Sequence, residues 1–150
     1  MKGIQIHKLK KKDQALLQGF IDSLGASADT FRYFDKRTID VVDLHHITLL
    51  ILDQDKPVAY GHLEPENGID WLGIAVIESS RGRGFGREMM KALIGEAENL
   101  KLKEIRLSVD ASNTAAIALY RSMGFELLEV RDDIRFYTFN PNRETSEDKT

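Results

Sequence analysis

The stretch that most constrains the fold is Arg81-Gly82-Arg83-Gly84-Phe85-Gly86, which follows the apolar run Trp71-Leu72-Gly73-Ile74-Ala75-Val76-Ile77 and precedes a helix-like segment from Arg87 to Asn99. Glycines stand where a strand ends and a helix begins, so bare backbone N–H groups can surround an anion there. The unpaired amides of a first helical turn and the helix dipole both favour negative charge, and Arg81, Arg83 and Arg87 add full positive charges to the same corner. No Lys-Ser or Lys-Thr follows the last glycine, which excludes a nucleoside triphosphatase loop, and the spacing is not G-x-G-x-x-G. What remains is Arg-x-x-Gly-x-Gly, a cradle suited to a pyrophosphate.

The rest of the chain supplies one domain around this loop. A chain of 150 residues can bury about two thirds of its unfolded surface, so no disulfide or metal staple is required. Hydrophobic residues at 42% and charged residues at 30% describe a globular chain rather than a disordered or membrane-embedded one. There is no cysteine, which removes both a disulfide framework and a thiol nucleophile. Met1 to Gln14 lacks the apolar core of a secretory signal, so a cytoplasmic location is expected. The net charge of -3 argues against bulk nucleic-acid binding and leaves the arginines around Gly84 as a local anion site.

Hydrophobic periodicity gives the element order. Ile4 to Leu9 alternates as a strand, and Asp13 then caps a helix carrying Leu16, Leu17, Phe20 and Ile21 that ends near Gly25. Thr30 to Arg37 is expected to form a second short helix. His45–Leu52, Pro57–Leu63 and Ile69–Ile77 read as an antiparallel meander. The long helix after the glycine loop buries Met89, Met90, Leu93, Ile94 and Ala97, and the strand Glu104–Val109 after it must run parallel to 69–77. A helix from about Thr114 to Met123, a left-handed stop at Gly124 and the strands 125–130 and 134–139 complete the domain at residue 140. Residues 141–150 read as a polar, loose tail.

Val76 to Gly86 and Asn113 to Gly124-Phe125-Glu126 resemble the GCN5-related N-acetyltransferase (GNAT) family, over about 60 residues from Ile69 to Phe125. The resemblance implies an α/β fold with a mixed, mostly antiparallel sheet of six to seven strands, about four flanking helices and a β-α-β acyl-CoA-binding core. A proline frequent in the family two residues after the strand valine is Glu78 here. The resemblance further implies acetyl-CoA as acyl donor, bound by Ile74, Ala75 and Val76, by the loop residues Arg81, Gly82, Arg83, Gly84, Phe85, Gly86 and Arg87, and by Asn113 and Tyr120. The backbone of Val76 would donate to the thioester oxygen, and the Tyr120 hydroxyl would serve the departing thiolate as acid or hydrogen-bond donor. Asn113 and Tyr120 also fit a plain helix cap and a half-buried packing residue.

An amine acceptor must lose a proton, and the candidate acceptors of that proton are His62, Glu64, Asp70 and Glu78, with His62 and Glu64 sharing one face of a strand. His45-His46 points to opposite faces of a strand, so no metal site is expected. Phe31, Arg32, Tyr33, Phe34, Lys36 and Arg37 lie where the family builds its acceptor pocket, and they resemble somewhat the corresponding segment of members acting on nucleotide-linked amino sugars; a helix packing its aromatics inward with its charges solvated is the better default. The resemblance thus implies an N-acetyltransferase acting on a primary amine of a small-molecule acceptor, expected as a monomer or homodimer with no nucleic-acid or membrane partner. A non-catalytic acyl-CoA-binding module and a nucleotide-binding protein are the competing readings.

Overall fold

The computed structural model describes residues 3–142. Seven strands form one sheet in the order β1-β2-β3-β4-β5-β7-β6, with β1 Ile4–Lys8, β2 Ile47–Asp53, β3 Lys56–Glu66, β4 Ile69–Val76, β5 Ile105–Asp110, β6 Glu126–Arg131 and β7 Ile134–Phe139. Three α-helices, α1 Gln14–Asp22, α2 Phe85–Asn99 and α3 Thr114–Ser122, and four short 3-10 segments accompany it. Every strand pair is antiparallel except β4 and β5, as the crossover through α2 requires.

The sheet is held at β3, whose two faces carry different chemistry. Gly61 faces α2 so closely that a Cβ there would sit 2.6 Å from the Met89 sulfur and 2.7 Å from Leu93 Cδ1. Met89, Met90 and Leu93 are fully buried on that side, each contributing roughly 1.5–3 kcal/mol of transfer free energy. The opposite face carries Tyr60, His62 and Glu64, and Phe20 of α1 stacks on Tyr60 at 5.8 Å between ring centroids.

Two expectations need correction. Residues 31–37 form turns and bends instead of a helix, while 3-10 segments lie on either side at Gly25–Asp29 and Ile39–Leu44. On a helix Phe31 and Tyr33 would diverge by about 200°. Here Phe31 and Phe34 pack on Tyr60 at 5.4 and 5.5 Å and Tyr33 lies against His62 at 4.5 Å, so all three rings meet the face of β3 that carries Tyr60 and His62. Asp13 does stand before α1, yet its carboxylate accepts from the Lys10 amide and pairs with His7 rather than capping the helix. At the start of the stretch expected to be a loose tail, Pro141 is buried and the Asn142 side-chain amide donates to the Leu102 carbonyl at 2.8 Å. The remainder of that expectation, residues 143–150, lies outside the described residues.

Candidate active site

The cleft arises where β4 and β5 part. These parallel strands share one bridging pair, Trp71 with Arg106, and the remainder of β4 has no partner on that side. The Ile77 amide donates to the Val58 carbonyl of β3. Because backbone groups alternate along a strand, those of Ile74 and Val76 point the other way, into the gap. The Val76 carbonyl is taken by the Ser27 hydroxyl at 2.6 Å, which leaves the Val76 amide open. A cleft of about 930 Å³ runs from here between the glycine loop and the face of β3 that carries His62 and Glu64.

The donor end of the cleft is built from backbone. Gly82 and Gly84 have φ of 78° and 88°, a left-handed conformation that costs side-chain-bearing residues about 1–2 kcal/mol. Gly84 is the N-cap of α2, and the first intrahelical bond runs from the Glu88 amide to its carbonyl at 3.1 Å. The amides of Phe85, Gly86 and Arg87 therefore have no acceptor within the helix. A Cβ on Gly86 would approach Leu119 Cδ2 at 3.2 Å, so this glycine also brings α2 close to α3.

The three arginines of the loop do not act alike. Arg81 and Arg87 line the cleft, and Arg87 donates to the Ser122 hydroxyl at 3.0 Å. The Arg83 guanidinium instead pairs with Asp53 at 3.1 Å and lies over the Phe85 ring, off the cleft. Asn113 is the N-cap of α3, its Oδ1 accepting from the Ala116 amide at 3.2 Å, which leaves its own amide N–H groups for the cleft it lines. Tyr120, two turns later, is only 6% exposed and also lines the cleft. Burial raises its phenol above the usual range, so it remains protonated. Its hydroxyl has no hydrogen-bond partner among the described residues and is not sealed from the cleft. Free amides, an unpaired strand edge and an unpartnered hydroxyl, all in one groove, fit a ligand that is part pyrophosphate, part amide-bearing arm and part thioester.

The acceptor end is built from side chains. Glu64 and His62 both line the cleft, whereas Asp70 pairs with His46 at 2.8 Å and Glu78 accepts from the Ala26 amide at 2.8 Å, both outside it. Tyr33 donates to Glu64 Oε1 at 2.9 Å, and its oxygen lies 2.6 Å from His45 Nε2. His45 Nδ1 in turn meets the Thr48 hydroxyl at 2.8 Å. Tyr60 and His62 Nδ1 lie 2.5 Å apart, so His62 is fixed from behind and its Nε2 edge faces β4. Gly73 makes room for that ring, since a Cβ there would sit 2.5 Å from His62 Nε2. Burial, reinforced by Arg37 and His46, lowers His45 to about 4, and burial likewise drives His62 well below its usual range, so both imidazoles are neutral near pH 7.

Thr48 was not singled out by composition or local pattern, Tyr33 was read only as one of an acceptor-pocket segment, and His45 only as half of an adjacent histidine pair; the structure brings all three to this end of the cleft. Their signal was the register of the β2–β3 hairpin, which sets Thr48 opposite His62 and, through the His46 amide bonding to the Leu63 carbonyl, brings His45 beside this face. Arg32 and Arg37 also line the cleft, where Arg32 pairs with Asp110 at 3.3 Å and Arg37 lies 4.3 Å over the Tyr33 ring.

The sequence pattern of the Acetyltransferase (GNAT) family matches residues 14–125, which contain both ends of the cleft. The chain belongs to the GNAT family. Among curated GNAT relatives, the [ribosomal protein bS18]-alanine N-acetyltransferase of Salmonella typhimurium is 45% identical over 60 residues, 40% of each chain. The spermine/spermidine N(1)-acetyltransferase of Bacillus subtilis is 44% identical over 63 residues, 41% of each chain. The chain thus matches less than half the length of these relatives. Solved structures share the fold more fully. A putative acetyltransferase from Salmonella typhimurium, determined with acetyl-CoA, superposes with a TM-score of 0.77 at 18% identity over 97% of this chain and 98% of the other. The ribosomal-protein-S18-alanine N-acetyltransferase of Escherichia coli gives 0.71 at 20% identity over 95% and 97%. No helix among the described residues is long and apolar enough to cross a membrane.

Proposed function

We propose that this GNAT protein is an N-acetyltransferase that moves an acetyl group from acetyl-CoA to a primary amine by direct attack in a ternary complex. The observation that carries the reading is the single cleft joining the free α2 amides and the open β4 edge to an unpartnered Tyr120 hydroxyl and the Glu64–His62 pair. Acetyl-CoA supplies an activated acyl carbon. The amides of Phe85, Gly86 and Arg87, with Arg81, hold its pyrophosphate, and the Ile74 edge and Asn113 pair with the amides of its arm.

The remaining steps fall to side chains and one amide. The Val76 N–H donates to the oxygen on which negative charge grows as the amine attacks. Glu64 accepts the proton lost by the amine, directly or through one water, while neutral His62 accepts a second N–H and orients the nitrogen. As the carbon–nitrogen bond forms and the carbon–sulfur bond breaks, Tyr120 donates to the departing sulfur. With no cysteine in the chain, no thiol ester on the enzyme is part of this scheme.

An amine arriving as an ammonium suits this acceptor end better than an amino sugar linked to a nucleotide. Glu64 and Glu66 line the approach together with the rings of Tyr33 and Trp71, and rings of this kind attract cations. Arg32 and Arg37, which a sugar nucleotide would need, line the cleft but lie against Asp110 and the Tyr33 ring. Relatives that act on a protein's alanine or on spermidine also take amines. The test is release of CoA thiol from acetyl-CoA in the presence of polyamines, alanine-terminal peptides or amino-sugar nucleotides. Turnover with the first two classes supports the reading. Thermal stabilisation by CoA with no turnover on any amine supports the binding-module alternative instead.

A further inference from the structure

We infer that His45, His62 and Glu64 form a site for a divalent zinc-type ion at the acceptor end of the cleft, and that filling it shuts off acetyl transfer. Each residue offers one ligand atom, and these atoms all lie within 4.8 Å of one another. Two imidazoles and a carboxylate are a donor set that zinc accepts, with a fourth position left for water or another oxygen. Nitrogen donors favour zinc, copper or nickel over magnesium and calcium.

The surroundings are those of a built site rather than a chance approach. In metal centres the second ring nitrogen of each ligating histidine is held by an outer partner, which fixes the ring. Both histidines satisfy that condition: Tyr60 holds His62 Nδ1 at 2.5 Å and Thr48 holds His45 Nδ1 at 2.8 Å, which leaves Nε2 as the second nitrogen of each, that of His62 on the side of Gly73 and that of His45 against the Tyr33 oxygen. The two rings lie 4.4 Å apart between centroids. The Tyr33 oxygen, 2.6 Å from His45 Nε2 and 2.9 Å from Glu64 Oε1, already bridges two of the three ligands and supplies an oxygen at the fourth position. Bringing the ligands from this spacing to metal–ligand distances of about 2.0–2.1 Å needs a small inward movement of Glu64 and the turn carrying Tyr33.

Metal binding stands on this geometry alone, whereas its inhibitory effect rests on the acetyltransferase reading, since Glu64 cannot accept a proton while it ligates an ion. The experiment titrates zinc into the native protein against a chromophoric chelator, then records the X-ray absorption spectrum of the zinc complex. One equivalent is expected, with two imidazole and one or two oxygen ligands at about 2.0–2.1 Å. His45→Gln and His62→Gln are each expected to weaken binding by about 100-fold or more. Absence of stoichiometric zinc binding by the native protein, or a spectrum without imidazole, overturns the site. With turnover established for the metal-free protein, zinc at the concentration that fills the site is expected to abolish it and a chelator to restore it. Full turnover by the zinc-loaded protein overturns the inhibitory role. An acetyltransferase reading that is itself wrong appears separately, as no turnover before zinc is added.

Discussion

The two ends of the cleft are built from different materials. At the proposed donor end the candidate groups are backbone amides of Val76, Phe85, Gly86 and Arg87, fixed by a strand edge and a helix start that adjoin in sequence. At the acceptor end they are side chains, Tyr33, His45, His62 and Glu64, brought together from a turn, the approach to β2 and the strand β3. A site made of backbone tolerates change in most side chains but not in the conformation that glycine permits. A site made of hydrogen-bonded side chains fails when one partner is lost, because the remaining buried polar groups are then unsatisfied.

The sharpest break should come from Glu64→Gln. Without a proton acceptor, turnover on the amine is expected to fall by about 100- to 1,000-fold in a thiol-release assay. A loss under about tenfold would remove Glu64 from the proton path. At the other end, Tyr120→Phe should lower turnover about 100-fold while CoA affinity, read by calorimetry, changes little, because the hydroxyl acts only as the sulfur departs. Unchanged turnover would take that residue out of the mechanism.

A smaller effect is expected between the two ends. Gly73→Ala inserts a Cβ 2.5 Å from the buried His62 ring, and overpacking of this kind costs about 1–3 kcal/mol. The variant should unfold at a lower temperature and lose turnover by displacing His62. A variant as stable and active as the wild type would show that His62 is free to move.

The smallest expected effect is a pH dependence of stability. His45 is lowered to about 4 in the folded protein from an unfolded value near 6.5, so between these values the unfolded chain binds the extra proton. Stability from His45 is therefore fully present above about pH 6.5 and is lost as pH falls through about 4. Allowing for the partial exposure of the ring, the loss is on the order of 2 kcal/mol. His45→Gln should flatten the curve in denaturant titrations between pH 4 and 6.5. An equally steep curve in that variant would assign the dependence to other groups, His62 first among them.

The same contrast explains what the sequence disclosed. The β4–loop–α2 unit is local, so its glycines, its strand and its helix start were legible as a pattern, as was the parallel crossover to β5 that opens the cleft. Arg83 shows the limit even there, because its distant ion partner Asp53 draws the side chain away while its backbone stays in the loop. At the acceptor end His62 and Glu64 were visible by strand alternation, and Asp70 and Glu78 were indistinguishable from them until their partners His46 and Ala26 were known. Tyr33 was legible only as part of a segment, and His45 not as a neighbour of Tyr33 and Glu64. A mixed aromatic and basic segment that read as a short helix concealed a turn, and adjacent histidines concealed a hairpin register that sends one to Tyr33 and the other to Asp70.

The division of labour between the two ends is tested most directly by titrating CoA into Glu64→Gln protein in a calorimeter. Because the carboxylate and the backbone cradle share no partner, the dissociation constant should stay within about twofold of the wild-type value while turnover is lost. A dissociation constant weakened tenfold or more would contradict the account and make the cleft a single coupled site.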